Sequence, residues 1–494
     1  MARWTLKTYA VCSIGGAALL FGCAIETSTW LMQSEGSGWA GWLLRHPSSH
    51  GRPYQSVTEA LRRLARAVRA ECTRMSCRRL HRVGVLALAV FLSTGAGCAH
   101  HEPVLKLPAL EVGHPTFAAT LAAYTGATVV SGNRVELLLN GDEIFPAKLR
   151  LIKGAKRSIN YAQYVWEEGQ QAEEIANALA DRCRAGVAVN VLVDGVGALS
   201  MPVEYRQRMV DAGCRVDTFR PLSPFSLHKA NYRNHRRILV ADGRVAITGG
   251  SGMSGKWGGN GRQEGHWRDT DLWTEGPVVE QLQGAFAENW LEATGIVLGG
   301  RDYFPSPMEA KGDVAAQAVR SSPSGGSAAM YTMYLLAMAS ARQSIYITNP
   351  YFLPDEKMID TLIQTARRGV KVALLLPGAI DHNLVRQASR SELGRLLEAG
   401  VKIYEYRPAM LHAKSMVVDS RWATVGSTNL DRRSFALNDE INLVVYNQAV
   451  AERLERVFKD DLTRSKQITY ESWKNRGFFS RFLEMLSIPV RPQM

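Results

Sequence analysis

The sequence predicts an α/β protein whose main body is one fold written twice in tandem, each copy a sheet covered by helices on both faces. Three observations lead there. The first is a set of ordered internal correspondences. Ala155 to Tyr161 (AKRSINY) matches Ala341 to Ile347 (ARQSIYI), and Ala185 to Val193 (AGVAVNVLV) matches Arg368 to Leu376 (RGVKVALLL). Arg208 to Val216 (RMVDAGCRV) matches Arg395 to Ile403 (RLLEAGVKI), each running on to an Arg-Pro, at Arg220-Pro221 and Arg407-Pro408. The order is kept and the period approaches about 180 residues, so these are two domains and not a solenoid. The second is the local grammar inside each copy, where a helical pattern closes at a glycine and a buried, β-branched run follows. The third is composition: 494 residues at 46% hydrophobic and 21% charged suffice for two or three globular domains.

Residues 1–98 read as a membrane-targeting region. Two apolar runs, Ala10 to Ala24 and Val83 to Gly97, are shorter than the roughly 20 residues of a spanning helix. Two readings stand side by side. In one, Met75 is the true start, Arg78, Arg79 and Arg82 form a basic leader, and Thr94-Gly95-Ala96-Gly97-Cys98 is similar to a lipoprotein cleavage box with Cys98 lipidated. In the other, both runs are membrane segments joined by the arginine-rich stretch from Arg62 to Arg82. Both hold the chain at a membrane, and lipidation of Cys98 would place it on the periplasmic face. Charge agrees: residues 1–100 hold 12 Lys/Arg against 4 Asp/Glu, so most of the net +13 lies beside the apolar runs, as expected next to anionic lipid. Five of the seven cysteines also fall there; Cys183 and Cys214 alone belong to the body and read as core fillers.

Residues 99–134 read as a tether carrying a short helical pattern, Phe117 to Tyr124, expected to pack on the first repeat. The first domain is expected over 135–297, a Gly/Pro/Ser-rich linker over 298–328 and the second domain over 329–470. In the tail, 471–494, Trp473, Phe478, Phe479, Phe482, Leu483 and Leu486 interleave with Lys474, Arg476 and Arg481. That pattern fits a membrane surface or a helix capping the second domain.

The chemistry-bearing stretch is Leu411 to Asn442. His412 and Lys414 are two apart and would share a face of a strand, Met416 to Val418 enter the core, and Asp419-Ser420 read as a turn. Trp422 to Val425 then lead into Gly426-Ser427-Thr428-Asn429, where small residues allow close approach to an anion. One imidazole, one ammonium, one hydroxyl and one carboxamide suit a tetrahedral phosphate diester. Glu440, opening a strand pattern to Tyr446, is expected to orient His412.

This stretch resembles the HKD motif of the phospholipase D superfamily, H-x-K-x4-D followed by G-S-x-N. The resemblance covers roughly 135–465 and implies two domains packed as one pseudo-twofold body with both motifs facing a shared cleft. The corresponding place in the first copy is Asn234 to Asp242, then Gly249-Gly250-Ser251-Gly252. His235 and Asp242 keep the spacing. Arg237 stands where the family has lysine, which keeps a phosphate-binding cation but alters its geometry. Gly252 falls where the asparagine belongs, which puts first-half phosphate contacts in doubt, with Ser251 or Ser254 as substitutes. Asp269, in Trp267 to Pro277, is the expected partner of His235, a better match than Asp271. A degenerate first half is the competing reading.

By that resemblance the catalytic set is His235, Arg237, Asp242, Asp269, His412, Lys414, Asp419 and Glu440. His235 is the nucleophile and His412 the acid/base, an order the residues do not decide; Asp242 and Asp419 shape the turns. Ser427, Asn429, Lys414 and Arg237 would bind the phosphate. The reaction is a double displacement through phosphohistidine that needs neither metal nor cofactor. The run from Leu430 to Glu440 and the WRDT run at Trp267 resemble bacterial cardiolipin synthases, which implies phosphatidylglycerol, and possibly phosphatidylethanolamine, as substrates. Hydrolysis to phosphatidic acid, as in a phospholipase D, is the main alternative. The modest charge of the body and the lack of an aromatic-basic array speak against nucleic acid, and a non-catalytic membrane protein would follow from a dead first half.

Overall fold

The structure is a computed structural model that describes residues 106–108, 110–223, 230–323, 326–378 and 392–477. Both N-terminal apolar runs, Cys98 and the tail beyond 477 lie outside the described residues. No helix among the described residues is long and apolar enough to cross a membrane.

The first copy supplies β1 (Val130–Leu139), β2 (Ser158–Gln163), β3 (Ala188–Asp194), β4 (Arg215–Phe219), β5 (Ile238–Ala241), β6 (Val245–Gly249), the two-residue β7 (Trp267–Arg268) and β8 (Thr270–Glu275). The second supplies β9 (Val314–Ser321), β10 (Ser344–Thr348), the short β11 (Phe352–Leu353), β12 (Lys371–Pro377), β13 (Lys402–Tyr406), the short β14 (Met410–Leu411), β15 (Ser415–Val418), β16 (Trp422–Gly426), the short β17 (Leu430–Asp431), β18 (Glu440–Tyr446) and β19 (Ser465–Ile468). Fifteen of these form one sheet in the order β19-β13-β12-β10-β15-β16-β18-β9-β1-β8-β6-β5-β2-β3-β4. Counted outward from the central pair, the first copy runs 1-8-6-5-2-3-4 and the second 9-18-16-15-10-12-13, with β19 added at its outer edge. Equivalent elements occupy equivalent places, so a pseudo-twofold relates the halves across the antiparallel β1–β9 contact, Val130 opposite Ala316 and Asn133 opposite Val314.

Period-two alternation along the strands sends side chains to opposite faces. One face carries a core continuous across both halves, where the helices Val279–Thr294 and Gln448–Leu462 bring Phe286, Trp290 and Leu454 onto Leu272, Val417 and Ile441. The other face is covered separately in each half, by Ile144, Leu151 and Ile175 over β2 and β3 in the first and by Met333, Leu336 and Leu362 over β10 and β12 in the second.

Three expectations change. The stretch anticipated as linker, 298–328, contains β9, one of the two central strands of the sheet. Its sequence, VAAQAVRS, is too rich in alanine to announce a strand, and it is held by pairing on both edges. The helix Pro115–Thr125 packs on the second repeat instead of the first: Phe117 lies edge-on to Trp422 and Tyr446, both at 6.4 Å between ring centroids. Cys183 and Cys214 are joined in a disulfide with Cα atoms 5.5 Å apart, tying the end of the helix Gln170–Arg184 to the entry of β4. Sequence spacing could not give this pairing, because the glycine-closed turns between them fold the chain back on itself.

Asp242 and Asp419 sit in the β5–β6 and β15–β16 hairpins at φ 54° and 53°, each followed by a second left-handed residue, Gly243 or Ser420, as a two-residue primed turn requires. Their carboxylates turn away from the histidines. Asp242 accepts the backbone N–H groups of Lys156, Arg157 and Ser158, at 2.7 Å for Arg157. Asp419 accepts those of Arg342, Gln343 and Ser344 at 2.7 to 2.9 Å. Each aspartate thus clamps a hairpin to the start of the neighbouring strand, β2 or β10. Three charge-assisted bonds to otherwise open N–H groups make this a folding device. Asp419→Ala should lower unfolding free energy by about 3 kcal/mol or more in urea titrations while folded molecules keep their kcat. An unchanged urea midpoint with a collapsed kcat would instead put this carboxylate in the chemistry.

Candidate active site

Each histidine is delivered by backbone bonds that cross from one half to the other. His235 lies just before β5, and its N–H donates to Asp439 O at 2.9 Å. His412 follows β14, which pairs in parallel with β7 of the first half, and its N–H donates to Arg268 O at 2.8 Å. The acceptors directly precede Glu440 and Asp269. The side chains cross in the same way: His235 Nδ1 lies 2.9 Å from Glu440 Oε1, and His412 Nδ1 lies 2.7 Å from Asp269 Oδ2. This reverses the expected partnership, in which each acid would orient the histidine of its own half. The acids start β18 or directly precede β8, strands that flank the central β9–β1 pair, so they stand at the seam and reach over it.

Arg237 sits on the other ring nitrogen of His235, whereas Lys414 lies against both ring nitrogens of His412, 3.0 Å from Nδ1. Arg237 Nη2 lies 3.3 Å from His235 Nε2, and Lys414 Nζ lies 2.9 Å from His412 Nε2 and donates to His412 O at 2.6 Å. All six side chains are buried. Arg237 Nε has no hydrogen-bond partner, nor has Asn429 Oδ1. A buried guanidinium N–H without an acceptor is costly, and a phosphate oxygen in the cleft would remove that cost. Among the described residues no group of three or more His, Cys, Asp or Glu side chains is arranged to hold a metal ion.

Ser427 Oγ donates to Glu440 Oε2 at 2.5 Å. Ser251 and Ser254, the candidate substitutes in the first half, point elsewhere. Ser251 Oγ donates to Asp271 Oδ2 at 2.5 Å and accepts from the buried ammonium of Lys148 at 2.6 Å. Ser254 Oγ donates to Glu167 at 2.9 Å. Lys148 forms a buried ion pair with Asp271 at 3.2 Å; the equivalent place in the second half holds neutral groups, Asn442 bonded to Thr428 and Tyr334. Aromatic rings enclose both imidazoles, with Tyr164 4.7 Å from His235 and Trp257 and Trp267 5.1 and 5.0 Å from His412. Sequence reasoning had not selected Lys148, Tyr164 or Trp257, because none lies in a motif and each arrives from a different loop or helix.

The electrostatics of the two pairs differ. Burial, then the charges of Arg237 and Lys414, push His235 well below the usual imidazole range. Burial and Lys414 push His412 down to about 3, against the pull of Asp269. Burial works to raise Asp269, but His412, Lys414 and the indole N–H of Trp257 overcome it and hold this carboxyl far below its ordinary value. Glu440 goes the other way, pushed up to about 7 by burial in spite of Ser427 and Arg237. Two neutral imidazoles, each with a cation beside it and each under the charge of both cations, form a site primed for one anionic tetrahedral group. One neutral imidazole can attack, and the other, once it has taken a proton beside the bound anion, can hand that proton to the departing oxygen.

Comparison with known proteins agrees with this geometry. A family model described as "Cardiolipin synthase, PLD-like domain" matches residues 149–290 and 334–462. The cardiolipin synthase of Alkalihalophilus pseudofirmus is 35% identical over 383 residues, 77% of this chain and 76% of that protein. Cardiolipin synthase 2 of Bacillus anthracis is 36% identical over 374 residues, 75% of this chain and 73% of its own length. The crystal structure of a phosphatidylserine synthase from Haemophilus influenzae shares the fold, with a TM-score of 0.60 at 13% identity, over 77% of this chain and all of that one. The chain belongs to the phospholipase D-like family typified by cardiolipin synthase.

Because Glu440 is raised in the folded state, the fold binds its proton more tightly than the unfolded chain, and stability is lost as pH rises from about 4.5 to about 7. Glu440→Gln removes that loss. Its unfolding midpoint should gain on wild type as pH goes from 5 to 8, while kcat falls at least about 100-fold for want of the carboxylate behind His235. A difference in midpoint that stays flat with pH would contradict the assignment.

Proposed function

We propose that this protein is a membrane-associated phosphatidyltransferase of cardiolipin synthase type, joining phosphatidylglycerol molecules through a phosphohistidine. The observation that carries the reading is the pair of crossed His–carboxylate contacts with Arg237 and Lys414 beside them, in a chain 35% identical to a cardiolipin synthase. His235 Nε2 attacks phosphorus, the bond from phosphorus to the glycerol oxygen breaks, and His412 gives that oxygen its proton, so glycerol leaves neutral. A hydroxyl of a second phosphatidylglycerol then returns a proton to His412 and attacks the phosphohistidine, which frees His235 and yields cardiolipin. Arg237, Lys414 and Asn429 bind the non-bridging oxygens; the anionic diester works against the burial and the charge of Lys414 that hold His412 neutral and lets it take its proton. Ser427 holds Glu440 behind His235. The acceptor is an alcohol on a lipid because the relatives are cardiolipin synthases, and phosphatidylethanolamine is the second candidate donor.

The N-terminal region, 1–98, targets the chain to the membrane and 99–134 tethers it to a first domain over 135–297 and a second that takes in β9 and runs to 470. The Cys183–Cys214 disulfide supports a body that faces the oxidising, periplasmic side, as lipidation at Cys98 would require.

Lipid extracts of cells expressing the wild type should contain added cardiolipin that His235→Ala and His412→Ala cells lack, with rates down at least about 10³-fold. In vitro, radiolabelled phosphatidylglycerol should give cardiolipin with release of glycerol. Phosphatidic acid as the product would mean hydrolysis and would sink the transferase reading.

A further inference from the structure

The first motif lacks both polar side chains that the second presents at Ser427 and Asn429, and the structure accounts for the gap. Gly249 pairs with Asp271 in the sheet as Gly426 pairs with Asn442, so Gly250 and Gly252 hold the places of Ser427 and Asn429. Neither glycine has room for a side chain. A Cβ on Gly250 would sit 2.2 Å from Asp269 Oδ1, and one on Gly252 would sit 2.6 to 2.9 Å from the six-membered ring of Trp257. The space at Gly250 is therefore taken by the carboxylate of Asp269, and that at Gly252 by Trp257. Its indole N–H donates at 2.8 Å to Asp269 Oδ2, the same oxygen that lies 2.7 Å from His412 Nδ1. In the other pair the corresponding donor to the carboxylate is Ser427.

Trp257 is rigidly delivered. It ends a short 3-10 turn, Gly255–Trp257, whose cap Ser254 accepts from Lys256 N–H. The loop before it is pinned to the segment after β2 by Met253 N–H to Val165 O and Glu167 N–H to Met253 O, at 2.9 and 2.7 Å. Its carbonyl lies 2.2 Å from where a Cβ on Gly141 would stand, so the start of the helix Asn140–Gly154 closes on it from behind. The indole also meets the His412 ring edge-on at 88°.

We propose that Trp257 is the positioning residue of the His412–Asp269 pair, and that Gly250, Gly252 and Trp257 are one coordinated replacement for the missing Ser-x-Asn. The departure in the first motif is then a different solution to the same task, and the first half is not a degenerate scaffold. The indole N–H fixes which carboxylate oxygen faces His412 and draws charge from it. The inference rests on His412 being the acid/base, but the site it describes exists whatever lipid is bound.

The test uses the full-length protein in detergent with two replacements at 257: Trp257→Phe, and β-(3-benzothienyl)alanine, which keeps both fused rings and lacks only the N–H. Each should lower kcat about 10- to 100-fold with KM within about twofold. In protein carrying ¹⁵N-labelled histidine, the His412 ring should titrate at higher pH in both variants, because a carboxylate relieved of one donor pulls harder on the imidazolium. The NMR titration reports without turnover, so it reads the proposal even if the wild type makes no cardiolipin. Wild-type kcat together with an unmoved His412 titration in the benzothienyl protein would overturn it.

Discussion

Everything in this molecule depends on two carboxylates reaching across the seam between its halves. Glu440 grips the histidine of the first repeat and Asp269 the histidine of the second, and each crossing is doubled by a backbone bond from the histidine N–H to the carbonyl of the residue before the acid. Each imidazole is therefore held by a carboxylate of the other half. Burying four ionisable groups, plus Arg237 and Lys414, is expensive. The expense is met by a sheet that is continuous through the β1–β9 contact and by a shared core on one of its faces. A slip of one residue at that central pairing would turn every side chain of one half to the wrong face and part both pairs at once.

The halves share a fold but not a chemistry of support. The second uses neutral groups, Ser427 on Glu440 and a Thr428–Asn442–Tyr334 network. The first uses Trp257 together with the buried Lys148–Asp271–Ser251 cluster. That asymmetry has an electrostatic consequence. Asp269, with an indole N–H and Lys414 nearby, stays ionised, whereas Glu440, behind a serine, is easily protonated. Two imidazoles in otherwise matching frames thus have partners of different basicity, which is the kind of difference that lets one serve as nucleophile and the other as acid.

Much of the fold was legible. The internal correspondences predicted two copies of a helix-flanked sheet, and the strand expected from Glu440 to Tyr446 runs over those residues. What stayed hidden was nonlocal. Val314–Ser321 has the composition of a linker and becomes a central strand only because β1 and β18 are there to pair with it. Phe117 carries no mark of which repeat it will meet. Cys183 and Cys214 gave no pattern, since their approach depends on how the helix between β2 and β3 lies against β4.

The site divides along the same line. Sequence alone nominated the reacting groups, because a spacing of two and seven residues, on the segment that leads into a strand and its turn, keeps His, cation and Asp in a fixed local relation. Asp242 and Asp419 were likewise placed in their turns by sequence, although the three N–H groups each one clamps come from far along the chain. Only the tertiary structure decided which acid serves which histidine and what fills the space left by Gly250 and Gly252. The acid–histidine pairs join residues more than 140 apart and the filling of that space depends on how the β6–β7 connection folds back on itself, and nothing in a strand's own periodicity says which neighbour it will lean toward once two halves share a sheet.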